Sequence, residues 1–121
     1  MKTVYYLKTC GTNKKIMTPL PLEDWKLREI KSEPITSEEV EQMFQLAGSY
    51  EALFSRKSTQ IRQRGLNIKE LKESDFKALL LDHYSFLKRP VFLTDKEIFI
   101  GSDKQNLERL NGFFGVETEK K

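Results

Sequence analysis

The sequence predicts an α/β protein: a four-stranded mixed sheet with helices packed on it and a block of helices inserted midway. Three observations point there. Short β-branched or aromatic runs lie at Thr3–Leu7, Trp25–Ile30, Val91–Leu93 and Ile98–Ile100. Helical spacing fills the long stretch between the second and third runs. The order is therefore β-α-β, several helices, then β-β-α, without an internal repeat.

Each element has a local reason. Thr3–Leu7 reads as a short buried strand that stops at Lys8-Thr9-Cys10-Gly11-Thr12. Residues 12–18 have helix-forming composition, limited by Pro19 and Pro21. Trp25–Ile30 alternates apolar and polar, as a half-buried strand does. Thr36 and Glu39 form a capping box, and Val40, Met43, Phe44 and Ala47 share one face of the helix that follows, which Gly48 ends. Shorter helices are expected over 49–54 and 58–64, the latter stopping at Gly65. Ser74 is expected to cap a further helix with Phe76, Leu79, Leu80 and His83 on one side. Thr94-Asp95-Lys96 turns a hairpin between Val91–Leu93 and Ile98–Ile100. Ser102 with Gln105 reads as another capping box, opening a last helix to about Asn111. Joined, these elements give the arrangement of a thioredoxin-like fold carrying a helical subdomain. Trp25, Phe44, Phe76 and Phe92 are core residues by spacing, and His83 flanks a helix end.

Composition narrows the function. The 121 residues suit one domain, and 38% apolar with 32% charged residues describes a soluble globular chain. No apolar run approaches the roughly 18–20 residues of a membrane span, and the N-terminus lacks the pattern of a secretory signal. One cysteine and one histidine do not make a zinc site of the usual kind, and a single cysteine excludes an intrachain disulfide. A reducing cytoplasm is the expected compartment. The net charge of +3 is too mild to predict direct nucleic-acid binding. Its distribution says more. Residues 1–22 carry Lys2, Lys8, Lys14 and Lys15 and no acid; residues 52–69 carry Arg56, Lys57, Arg62, Arg64 and Lys69 and no acid. Brought together, these windows would suit an anion or an acidic partner.

Cys10 follows the first strand and precedes the first helix. Free backbone N–H groups and the helix dipole there favour an anionic sulfur. Gly11 permits a close approach, Thr12 is a candidate helix cap, and Lys14 and Lys15 add positive charge within a turn. A dithiol mechanism needs a second cysteine, usually three residues on, and that position is Asn13. An oxidised Cys10 must therefore be resolved by an outside thiol, such as glutathione or a glutaredoxin.

These residues resemble those of the arsenate reductase (ArsC) family. Tyr6-Leu7-Lys8-Thr9-Cys10-Gly11-Thr12-Asn13-Lys14-Lys15 is similar to its N-terminal motif. Ala52–Ser58 through Gly65-Leu66 is similar to its middle motif, and Leu87-Lys88-Arg89-Pro90-Val91-Phe92-Leu93 with Ile100-Gly101 to its C-terminal motif. The resemblance spans about residues 3–111. It implies one ArsC-like domain over 1–112, with a thioredoxin-like core from 1–34 and 88–112, a helical insertion over 35–87, and a flexible tail at 113–121.

The resemblance also implies a site. Cys10 would be the nucleophile, and Arg89 would face it and hold an oxyanion. Pro90 would be cis beside it, while Gly11, Thr12, Asn13, Lys14 and Arg56 would line the substrate. No metal or tightly bound cofactor is implied; glutathione or glutaredoxin would be the reductant. Arsenate reductases of this family use two further arginines, and this chain has Ser55 and Gly101 where those fall. A charge-assisted hydrogen bond contributes roughly 1.5–3 kcal/mol, so poor arsenate turnover is expected. The family also contains Spx-type regulators that bind bacterial RNA polymerase, many of them through a Cys-x-x-Cys switch that Asn13 removes. Two functions follow as expectations. One is a monothiol reductase of arsenate or another small oxidised substrate. The alternative is a regulatory module docking RNA polymerase or another acidic protein.

Overall fold

A computed structural model describes residues 2–115. The chain divides into two compact units: one built from residues up to Glu29 and from Arg89 onward, the other from Ile30–Lys88.

The first unit holds a four-stranded sheet in the order β2-β1-β3-β4. Its strands are β1 (Thr3–Tyr6), β2 (Lys26–Glu29), β3 (Val91–Leu93) and β4 (Ile98–Ile100). β1 runs parallel to β2, with Thr3 opposite Lys26 and Tyr6 opposite Glu29. It runs antiparallel to β3, with Tyr5 opposite Val91, and β3 pairs antiparallel with β4, Val91 opposite Ile100. A parallel pair needs a crossover, and α1 (Gly11–Met17) supplies it. The hairpin turn is fixed by Thr94, whose Oγ1 accepts the N–H groups of Lys96 and Glu97 at 3.1 and 2.9 Å.

One sheet face carries the core of this unit. Val4, Phe92 and Phe99 join Trp25, Leu20 and Leu110, with Ile16 and Met17 of α1 and Leu107 and Phe114 of α5 (Lys104–Phe114) packed against them. The rings interlock edge to face, Trp25 lying 5.7 Å from Phe92, and Phe92 lying 6.0 Å from Phe114. α5 therefore runs further than Asn111. Phe113 and Phe114 are helical because their rings pack on Trp25, so the tail expected from 113 does not begin there. The rest of the expected tail, 116–121, lies outside the described residues.

Other expectations shift by a residue or two. β1 ends at Tyr6, and the first turn of α1 starts at Gly11 with Cys10 itself as N-cap. Asp103, not Ser102, caps α5, its carboxylate accepting the Asn106 N–H at 3.2 Å. The alternation in β2 is not the expected one: Leu27 is 49% exposed while Arg28 is 5% exposed. β2 is an edge strand, and the Arg28 guanidinium lies over the Tyr5 ring of β1 at 5.8 Å.

The second unit is helical. α2 (Ser37–Ala47) opens on the expected capping box: the Glu39 N–H donates to Thr36 Oγ1 at 3.1 Å, and the Thr36 N–H donates to Glu39 Oε1 at 2.9 Å. Gly48 ends it at φ 88°, where glycine is favoured. A 3-10 turn covers Glu51–Leu53, and the Glu73 carboxylate accepts the N–H groups of Tyr50 and Glu51 at its start. α3 (Thr59–Gln63) is capped by Ser58, and α4 (Glu73–Asp82) starts ahead of Ser74 because the Asp75 carboxylate accepts the Lys72 N–H at 2.8 Å. Phe54 packs on Phe76 and Phe86 at 4.9 and 5.3 Å to form the centre. Phe44 is only half-buried, stacked on Tyr50 at 4.4 Å. His83 flanks the end of α4, its Nδ1 accepting the Ser85 N–H at 3.1 Å.

Candidate functional site

The pairing of β1 with β3 fixes where the chemistry-bearing residues meet. Because the two strands are antiparallel, the chain leaving β1 toward Cys10 and the chain entering β3 through Arg89 and Pro90 lie at the same end of the sheet. β4 leaves at that end too, and the Gly101 N–H donates to the Pro90 carbonyl at 2.9 Å. The Arg89–Pro90 peptide bond is cis. Arg89 is half-buried and Pro90 buried.

Cys10 is a half-buried free thiol. Its backbone is extended (φ −89°, ψ 116°), its N–H donates to the Leu7 carbonyl at 3.1 Å, and its carbonyl accepts the Lys14 N–H at 3.2 Å. No side chain caps α1, and its first turn holds no acid. Gly11, Thr12, Lys14 and Lys15, with Thr18 and Pro19, line an open groove along the helix. Lys14 and Lys15 thus share one groove with Gly11 and Thr12.

Three details differ from expectation. Thr12 does not cap the helix, because Cys10 occupies the cap position and Thr12 lies exposed one residue inside. Gly11 answers no close neighbour within the protein: beyond its own helix backbone and chain neighbours, no heavy atom lies within 4 Å of where its side chain would begin. Asn13 is 1% exposed and its Oδ1 accepts the Leu7 N–H at 2.8 Å, so its side chain serves the fold and is closed to substrate.

Arg56 lies in the helical unit and forms a 2.7 Å ion pair with Glu51. Ser55, in the same unit, donates its N–H to the Phe86 carbonyl at 2.7 Å. Gly101 has φ 86°, a backbone region that disfavours an arginine. Strand pairing thus puts Cys10, Arg89 and Pro90 at one end of the sheet, while Gly11, Thr12 and Lys14 follow Cys10 along α1. Among the described residues no group of three or more His, Cys, Asp or Glu could hold a metal ion, and no helix is long and apolar enough to cross a membrane.

Two further residues shape this end of the sheet without a sequence signal of their own. Glu29 Oε2 accepts the Lys8 N–H at 2.8 Å. Asn106, 7% exposed, accepts the Ile100 N–H at 3.2 Å and donates Nδ2–H to the Gly101 carbonyl at 3.0 Å. Spacing alone reads both as polar surface residues.

The ArsC family model matches residues 5–110. Among curated relatives, the global transcriptional regulator Spx 2 of Bacillus anthracis is 25% identical over 129 residues, covering 99% of this chain and 98% of that protein. The global transcriptional regulator Spx of Bacillus subtilis is 22% identical over 112 residues, covering 90% and 86%. Among solved structures, the arsenate reductase from Vibrio cholerae superposes with a TM-score of 0.72 at 14% identity, covering 92% of this chain and 95% of that one. An arsenate reductase related protein from Brucella melitensis gives 0.66 at 24% identity, covering 95% of each. At these identities the structural likeness establishes the shared thioredoxin-like fold.

Proposed function

Because the chain belongs to the ArsC family, we propose that it is a monothiol oxidoreductase acting on arsenate or another small oxidised substrate, with Cys10 as nucleophile and an external thiol as reductant. The observation that carries this reading is the position of the chain's one cysteine: half-exposed at the head of α1, at the sheet end where Arg89 enters β3.

With arsenate as substrate, the Cys10 thiolate attacks arsenic and an oxygen leaves as water, forming a sulfur–arsenic bond. Arg89 holds the remaining oxyanion charge, with Lys14 as a second, non-bidentate cation. Glutathione then attacks the Cys10 sulfur. Two electrons pass to arsenic, arsenite leaves, and Cys10 remains as a mixed disulfide with glutathione. A second thiol, supplied by glutaredoxin or another glutathione, releases Cys10. No bound cofactor takes part, and the scheme belongs to a reducing cytoplasm. With glycine and serine where two family arginines fall, arsenate binds weakly, and a small oxidised thiol or another oxyanion is the competing substrate.

The test is a coupled assay in which glutathione reductase consumes NADPH, run with arsenate, glutathione and glutaredoxin. Turnover that vanishes in Cys10→Ser and falls in Arg89→Ala supports the reading; turnover equal to Cys10→Ser refutes the arsenate version.

The end-to-end alignment with relatives named as transcriptional regulators favours one second reading. In it, the exposed cations Lys57, Arg62 and Lys69 of the helical unit dock an acidic surface of RNA polymerase. Arg56 and Arg64 are already paired with Glu51 and Asp82. Retention of polymerase on the immobilised protein, lost in Arg62→Glu, would support it; no retention would refute it.

A further inference from the structure

The turn that carries Cys10 is held from two sides by side chains that touch no substrate in the scheme above. The Leu7 N–H donates to Asn13 Oδ1 at 2.8 Å, and the Lys8 N–H donates to Glu29 Oε2 at 2.8 Å. Asn13 comes from the helix that Cys10 caps, and Glu29 from the last position of β2, directly opposite Tyr6. The end of β1 is thus tied to the start of α1 and to the neighbouring strand, with Cys10 between.

We propose that Asn13 and Glu29 are positioning residues for the Cys10 thiol, resting on the reading of Cys10 as a reactive sulfur. Asn13 stands where a dithiol relative would place its second cysteine. A cysteine there would offer only a weak sulfur acceptor to the Leu7 N–H, so this chain has a turn latch where such a relative has a resolving thiol. The latch is specific: the side chain is 1% exposed, and removing its acceptor oxygen leaves the buried Leu7 N–H unsatisfied. Reaction at sulfur depends on alignment, and about 1 Å of displacement costs on the order of a hundredfold in rate.

The test uses the full chain and reads two quantities. One is hydrogen exchange of the Leu7 and Lys8 amides by NMR, referred to Phe92 in the sheet core. The other is the limiting alkylation rate of Cys10 by iodoacetamide at high pH, where the thiol is fully ionised. Cys10 is the chain's single thiol, so the second signal is unambiguous. Asn13→Leu removes the acceptor at nearly constant volume, and Asn13→Asp restores an oxygen in its place. Glu29→Met and Glu29→Gln form the matching pair.

The Leu and Met variants are expected to exchange about five- to tenfold faster at Leu7 and Lys8 respectively, beyond any change at Phe92. Their limiting alkylation rate is expected to change about fivefold, and the Asp and Gln variants to stay within about twofold of the parent. Faster exchange with unchanged alkylation in both Leu and Met variants would overturn the proposal, as would Asp and Gln variants no better than Leu and Met. If Asn13→Leu fails to fold, the Glu29 pair decides alone. Neither readout needs turnover, so an inactive parent protein would remove the reductase reading and leave this result standing on its own.

Discussion

Replacing Asn106 by alanine removes two hydrogen bonds at once from the turn between β4 and α5. Oδ1 accepts the Ile100 N–H at 3.2 Å and Nδ2 donates to the Gly101 carbonyl at 3.0 Å, all from a side chain 7% exposed. Each bond contributes about 1 kcal/mol net, and the buried Gly101 carbonyl left without a partner adds a further ~1 kcal/mol, for about 3 kcal/mol in all. Alanine's better helix propensity returns roughly 0.5 kcal/mol. The expected loss is therefore about 2.5 kcal/mol, or a fall in Tm of roughly 10 °C for a chain of this length. Trp25 is the only tryptophan and lies in the same unit, so its fluorescence during urea unfolding reports the change. Gln105→Ala, exposed one position earlier, sets the helix background. A loss of less than about 1 kcal/mol relative to that background would refute the reasoning, since it would mean the turn keeps its bonds by other means.

Phe92→Ala, at 0% exposure against Trp25 and Phe114, is expected to cost about 3–5 kcal/mol, read from the same urea midpoint. Thr36→Ala removes the Oγ1 that accepts the Glu39 N–H, leaves the backbone half of the capping box in place, and is expected to cost about 1 kcal/mol in the helical unit, measured by circular dichroism. The hydrogen bond to Glu41, at 2.7 Å, holds the Lys77 ammonium above its ordinary range. A raised cation stabilises the fold below its unfolded pKa of about 10.4 and loses that contribution as pH climbs through the folded value. Lys77→Met is therefore expected to destabilise the helical unit slightly at neutral pH and not at all in strong alkali, by paired melting curves.

The strands, the capping box at Thr36 and the family motifs were legible because each is a local pattern: alternation, a cap three residues before its partner, a cysteine at a strand–helix junction. What was hidden depends on contacts between distant residues. Asn13 is expected to line the substrate on the strength of the family resemblance, and only its burial and bond to the Leu7 N–H show its structural part. Arg28 is buried and Leu27 exposed because the Arg28 guanidinium lies over the Tyr5 ring of the neighbouring strand, a contact that composition does not reveal. Glu29 and Asn106 bond backbone groups that no spacing rule links to them. Phe113 and Phe114 joined α5 because Trp25, far away in sequence, gave them a surface. Gly101 is the instructive case at the site, since its left-handed backbone favours glycine, a preference that no local pattern in the sequence states.

The central strand β1 pairs on one side with β2, close behind it in the chain, and on the other with β3, which begins only at Val91, beyond the whole helical unit. During synthesis at roughly 5–20 residues per second, Cys10 leaves the ribosome several seconds before Arg89. Through that interval the nascent chain can complete its helical unit but not its sheet, and one flank of β1 waits without a partner. Thiol and guanidinium are brought to the same end of the sheet only once Arg89 and β3 have emerged, so a product cut short before Arg89 would carry the sulfur without the cation assigned to work with it.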